Sequence, residues 1–274
     1  MANGTLGASF RGRVAGADMR GQLELARRSN RPTVSLKAAV GRIDAGQTLR
    51  QLNLPDILAG TVDAVQVDGR STGETLHALL EQADITVQIK PANVSCSGNM
   101  IPRKVDVTVA SAELAVRKGR PVTAALTGTL NRVPFDATLS AGTLAELYRT
   151  DAPLPVRLTL QAADVQLRAE GAVARPFHRL EFDLEHELTG KEIKGLDPLM
   201  DIVLPLRGEF YAKGRVSARG NRFTYEEDLR VGKSDLKAAI TVLHVPTRPK
   251  IEGRIQAGEL HLNDVTLSDG DEDA

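Results

Sequence analysis

Apolar and polar residues alternate along most of this chain. In Phe210–Val216 apolar or small residues take every second position, and Gly214 lies inside the run without ending it. Leu236–Val242 repeats the pattern, as do Met19, Gly21, Leu23 and Leu25 between Arg20, Gln22 and Glu24. A period of two sends successive side chains to opposite faces of a strand. On this basis strands are predicted over 8–14, 19–26, 33–40, 61–67, 85–89, 105–116, 122–130, 134–139, 154–161, 165–169, 180–188, 210–216, 222–231, 235–243 and 250–257. Leu154, Val156, Leu158 and Leu160 form a clean apolar row, and Leu180, Phe182, Leu184 and Leu188 form another opposite Glu181, Asp183, Glu185 and Glu187. Such rows belong to antiparallel sheets with one dry and one wet face. The dry face must be covered, either by a second sheet in a sandwich or by bound apolar molecules on a curved sheet.

Three interruptions carry helical spacing instead. Leu76, Leu79 and Leu80 follow Ser71-Thr72-Gly73-Glu74, which offers a hydroxyl cap and an acidic first turn. Leu144, Leu147 and Tyr148, and Leu196, Leu199 and Met200, repeat the i, i+3, i+4 stripe. Short helices are therefore predicted over 73–82, 143–149 and 196–202, covering the ends of the sheet; a mobile lid over a groove is the alternative. Gly46–Ala59 reads as helix and loop broken by Pro55. An internal repeat is also visible. Asp18 precedes Arg31-Pro32 by the same 13 residues that separate Asp235 from Arg248-Pro249. The two segments, Asp18–Val34 and Asp235–Ile251, are expected to be equivalent strand–turn–strand units. Arg120-Pro121 and Arg175-Pro176 also precede strand patterns.

Composition narrows the function. The 274 residues are 42% hydrophobic but only 3% aromatic, without Trp, so the dry rows are aliphatic. A net charge of zero gives no support to nucleic acid as a partner. The single cysteine, Cys96, excludes an internal disulfide framework, and no run of about 18 apolar residues marks a transmembrane helix. The first residues lack the apolar core of a signal peptide.

The search for chemistry is largely negative. Gly232-Lys233-Ser234 lacks the upstream glycine of a phosphate loop, since Glu227 stands there. His186-Glu187 lacks the second histidine of a zincin helix and falls in a strand pattern. His77, His178, His186, His244 and His261 form no close ligand pair and are expected at surface or turn positions. Carboxylates on strand faces read as a solvated surface, and the acidic stretch 266–274 as a disordered tail. No enzymatic activity, metal or cofactor is expected.

Two regions resemble the AsmA family of bacterial envelope proteins. One runs GLDPL (195–199), LPLRG (204–208), a strand, the turn Ala218-Arg219-Gly220-Asn221-Arg222, then GKSDLK (232–237) and Arg248-Pro249-Lys250-Ile251. The other is VDGRSTGETL (67–76) followed by Leu79-Leu80. The resemblance implies an elongated, curved antiparallel sheet of repeated strand–turn–strand units over 1–265, a half-pipe or trough with a few short helices. It also implies a periplasmic, inner-membrane-associated protein of outer membrane biogenesis and lipid transport, with phospholipid acyl chains as partners. Membrane association would then reside in a segment absent here, making the chain a fragment or an anchorless member. The wall expected to shield acyl chains is Leu154, Val156, Leu158, Leu160, Leu180, Phe182, Leu184, Phe210, Leu236, Ile240, Val242, Ile251 and Ile255. A structural or adhesive β-sandwich would put the same rows in a closed core.

Overall fold

The structure is a computed structural model describing residues 5–14, 16–28, 31–51, 58–98, 101–148, 152–174, 181–201, 203–244, 248 and 250–265. Strand accounts for 69% of the chain, so the β-dominated expectation holds. The chain divides into two compact units, Met1–Val156 and Arg157–Ala274.

The first unit contains β1 (Thr5–Val14), β2 (Ala17–Arg28), β3 (Arg31–Val40), β4 (Ile43–Asp44), β5 (Leu58–Val62), β6 (Val65–Thr72), β7 (Asp84–Ile89), β8 (Ala92–Gly98), β9 (Ile101–Val116), β10 (Pro121–Leu130) and β11 (Val133–Thr143). Antiparallel pairings run β1–β2–β3–β6–β7–β9–β10–β11. The short β4 pairs β5, β5 pairs β8, and β8 pairs the first half of β9. The strand expected over 61–67 is in fact broken. It breaks at Asp63–Ala64, opposite Lys90–Pro91: Asp63 N still donates to the Pro91 carbonyl and Lys90 N to the Ala64 carbonyl, but Pro91 has no N–H to donate in return. The small and polar residues of β8 hid that strand from the period-two search.

Three helices lie in this unit: α1 (Ala45–Gln51), α2 (Leu76–Glu81) and α3 (Leu144–Tyr148). Helix α2 starts later than expected. Ser71 and Thr72 still belong to β6, and Thr75 is the N-cap, its hydroxyl accepting from Ala78 N. Helix α3 opens on a reciprocal cap, with Thr143 N donating to Glu146 Oε2 at 2.7 Å and Glu146 N to Thr143 Oγ1 at 3.3 Å. Its Leu144 and Leu147 pack on buried Ala83, Val116 and Val122. Burying such a leucine contributes about 1.5–3 kcal/mol, enough to hold a helix too short to be stable alone. Helix α3 thus closes a sheet end, as expected.

β12 (Leu154–Ala162) crosses the division. The second unit continues with β13 (Val165–Ala174), β14 (Glu181–Gly190), α4 (Leu196–Met200), β15 (Phe210–Arg219), β16 (Arg222–Val231), β17 (Ser234–Leu243) and β18 (Lys250–Ala257). From β13 to β18 each strand pairs antiparallel with the next, a plain meander. Fully buried Val165, Ile193, Val231 and Ser234 lie in or beside its turns and strand ends. Asp164 accepts from Lys191 N and Glu192 N, and the Glu192 side chain accepts from Gly208 N. The Gly232–Lys233 turn, with φ of 56° at Gly232, is filled by the chain's own carboxylate. Asp264 accepts from Lys233 N at 2.9 Å and Ser234 Oγ at 2.8 Å, and these bonds, the Ser234 hydroxyl first, hold its carboxyl below the usual range.

The sequence repeat is real at the level of register and extends to a third strand. Thr5 opposes Ala26 in β1–β2, and Arg222 opposes Leu243 in β16–β17; Val14 opposes Ala17, and Val231 opposes Ser234. Each pairing is displaced by the interval from Asp18 to Asp235. Gly41 N donates to the Asp18 carbonyl and Gly258 N to that of Asp235, closing both hairpins alike.

Candidate functional site: the apolar face of the second unit

Register fixes which side chains share a face. Across β13 to β18, one row reads Val173, Phe182, Ala218, Phe223, Val242 and Ile251. The next reads Gly171, Leu184, Val216, Tyr225, Ile240 and Gly253, and beyond the following row come Leu167, Leu188, Ala212, Leu229, Leu236 and Ala257. Phe182, Leu184, Leu188, Val216, Leu229, Leu236, Ile240 and Val242 are only half-buried, while Ile251 and Ile255 on β18 are 67% and 74% exposed. An apolar face this accessible is unusual for a closed core and is the feature of this unit most in need of a partner.

Most of the expected wall residues meet on this face: Phe182, Leu184, Phe210, Leu236, Ile240, Val242, Ile251 and Ile255. Phe210 is only 2% exposed, its ring lying over Gly190. Leu154, Val156, Leu158 and Leu160 occupy alternate positions of β12, with Leu154 buried. Leu180 lies outside the described residues, as do His178, the Arg175-Pro176 step and the acidic tail.

The middle row differs. It reads Ala169, His186, Gly214, Glu227, Ala238 and Ile255. His186 and Glu227 reach toward each other across the glycine of β15 and pair at 2.6 Å, Nε2 to Oε2. Their side chains are 13% and 7% exposed. A Cβ on residue 214 would lie 2.9 Å from His186 Cε1 and would overlap both Glu227 Oε2 and the Glu226 carbonyl, so only glycine leaves this gap. The Tyr225 ring stacks on the imidazole, centroids 5.9 Å apart and planes at 13°. Burial, and then the bonding and charge of Glu227, push the Tyr225 hydroxyl well above its ordinary range. Two atoms of the pair, His186 Nδ1 and Glu227 Oε1, are buried and have no hydrogen-bond partner among the described residues.

This corrects two expectations. His186 is neither at the surface nor in a turn, because the register puts it on the dry face between Leu184 and Leu188. Glu227 likewise does not belong to a solvated face. The signal was present: both break the apolar register of their strands, at positions that oppose one glycine. His77 and His244 are exposed as expected, and His261 is partly exposed.

The opposite face is charged in both signs. Arg215 grips Asp183 at 2.6 and 2.7 Å, and Arg219 joins at 3.3 Å; the Arg215 bonds hold the Asp183 carboxyl below its usual range. Lys213 pairs Glu187 and Lys237 pairs Asp228 across neighbouring strands. Two open concavities, of about 760 and 410 Å³, sit on polar faces, one on β1–β3 with β6 and β7, the other on β14–β18. The second concavity is lined mainly by charged residues, with Gly214, Glu227 and Ala238 of the middle row among them.

No described helix is long and apolar enough to cross a membrane. No protein-family model matches the chain, and no solved structure matches it. Among curated proteins, AsmA family protein YhjG of Escherichia coli (strain K12) is 26% identical over 144 residues, covering 50% of this chain and 21% of that protein. The match therefore spans about a fifth of the relative's length. The chain is thus similar to an AsmA family protein over half its length, in agreement with the resemblance carried by its segments between Gly195 and Ile251.

Proposed function

We propose that this chain is a non-enzymatic envelope protein that shields phospholipid acyl chains between the inner and outer membranes, using the apolar face of β13–β18. The observation that carries the reading is the run of apolar rows whose side chains are only half-buried. Removing a hydrocarbon chain from water is favourable in proportion to area and needs no directional contact. A smooth aliphatic surface with few aromatic anchors suits a passenger that moves along it. The AsmA-like sequence supports an envelope setting, with the periplasm as location and membrane association supplied by other parts of a longer protein.

The test is lipid content. Organic extraction and native mass spectrometry of purified protein should find co-purifying phospholipid. Ile240→Glu places a carboxylate on the open face, opposite Tyr225. There it reaches water, so the melting temperature should change little while bound lipid is lost. In a closed core the same charge would cost several kcal/mol and unfold the unit. Unfolding, together with no lipid in the wild type, would favour a scaffold and reject the transfer reading.

A further inference from the structure

The His186–Glu227 pair interrupts the apolar rows at a tightly constrained point. Glycine at 214 is required for His186 and Glu227 to meet, and the rows on both sides are apolar. A buried ion pair costs more in desolvation than it returns unless its remaining atoms are satisfied. Here two have no partner among the described residues: His186 Nδ1 and Glu227 Oε1. A buried polar atom without a partner costs the protein free energy, so its retention calls for an explanation.

We infer that the His186–Glu227 pair is a hydrogen-bonding station for a hydroxyl group carried on an aliphatic chain, so that hydroxylated acyl chains are a passenger class of this face. The inference rests on the acyl-shielding reading above and adds the passenger's polar group to it. The chemistry of the two atoms selects that group. Nε2 must carry a proton to bond the Glu227 carboxylate, so in the neutral imidazole Nδ1 is an acceptor, and Oε1 is an acceptor in any case. The complement is a donor. A hydroxyl fits both protonation states of the imidazole, because it also accepts from Nδ1–H when the ring is charged. A phosphate or carboxylate has only acceptors and negative charge, and Glu227 repels it. A plain alkyl chain leaves both atoms unsatisfied. Both atoms are buried, so the station requires Tyr225, half-buried and stacked on the imidazole, to move aside for the hydroxyl.

The experiment uses the whole chain and two probes of equal length, stearate and 12-hydroxystearate, each competing with a fluorescent fatty acid. Wild-type protein should bind the hydroxylated probe on the order of tenfold more tightly, the size expected for a hydrogen bond to a charged group. The double variant His186→Leu/Glu227→Leu should keep stearate binding and lose the preference. Equal affinities in the wild type overturn the inference and leave the acyl-shielding reading standing, an ordered water then being the partner of the two atoms. Binding of neither probe overturns both. Should the double variant fail to fold, nitrogen-15 shifts of the His186 imidazole in wild-type protein decide the matter. They must move with 12-hydroxystearate and stay still with stearate; a shift equal for both probes, or absent for both, rejects the station.

Discussion

Two glycines on the apolar faces are handled in opposite ways. In the first unit Gly21 of β2 opposes Phe10 of β1, and the phenyl ring lies across the space a side chain would fill. The row through it, Ala38, Val67, Val87 and Leu114, is apolar throughout. In the second unit Gly214 of β15 opposes His186 and Glu227, and the same kind of gap is filled by a hydrogen-bonded polar pair. An aromatic ring over glycine satisfies everything it touches, since it brings area and no polar atoms. The histidine–glutamate pair brings two buried atoms that have no hydrogen-bond partner among the described residues. A gap of one kind serves packing, whereas the other trades packing for chemistry.

The comparison is broken most forcefully by removing one member of the pair. His186→Leu leaves Glu227 buried without its partner and should cost about 3–5 kcal/mol in urea unfolding. The double variant His186→Leu/Glu227→Leu should recover that loss and exceed wild-type stability by about 1–4 kcal/mol, because no buried ionisable group remains. A double variant as unstable as the single one would mean the pair stabilises the sheet rather than serving a ligand. Phe10→Ala, the counterpart in the first unit, should cost about 2 kcal/mol, less than a fully buried phenylalanine because Phe10 is half-exposed. No second substitution at Gly21 should rescue it, since a Cβ there overlaps the Lys37 carbonyl at 2.6 Å.

A smaller effect concerns the turn that Asp264 fills. Its folded carboxyl titrates below the ordinary aspartate value of about 3.9, so the bonds to Lys233 N and Ser234 Oγ are intact above that value. They are lost as pH falls through the depressed folded value. Hydrogen exchange at the Lys233 amide should therefore quicken only below pH about 3.9. Asp264→Ala should produce the same quickening at neutral pH. Unchanged exchange in that variant would show that the segment before Val265 is held by its other contacts, such as Arg207 N to the Asp264 carbonyl.

Much of the fold could be read in advance because alternation is local. Phe210 to Val216 and Leu236 to Val242 declare their faces by period alone, and the matched Asp-to-Arg spacing anticipated two hairpins of one register. The three helices were placed by their leucine stripes, and only the cap of α2 slipped, from Ser71–Thr72 to Thr75. What alternation could not supply is the pairing between strands. The break at Asp63–Ala64 depends on which carbonyl and amide lie opposite, and the polar site depends on β14, β15 and β16 bringing residues 186, 214 and 227 into one row. Those residues are far apart along the chain, and each by itself reads as ordinary: a strand histidine, a tolerated glycine, a surface carboxylate. Sequence determined the faces, because side-chain direction follows the local backbone. Tertiary structure alone decided the neighbours on each face, because register is a relation between strands.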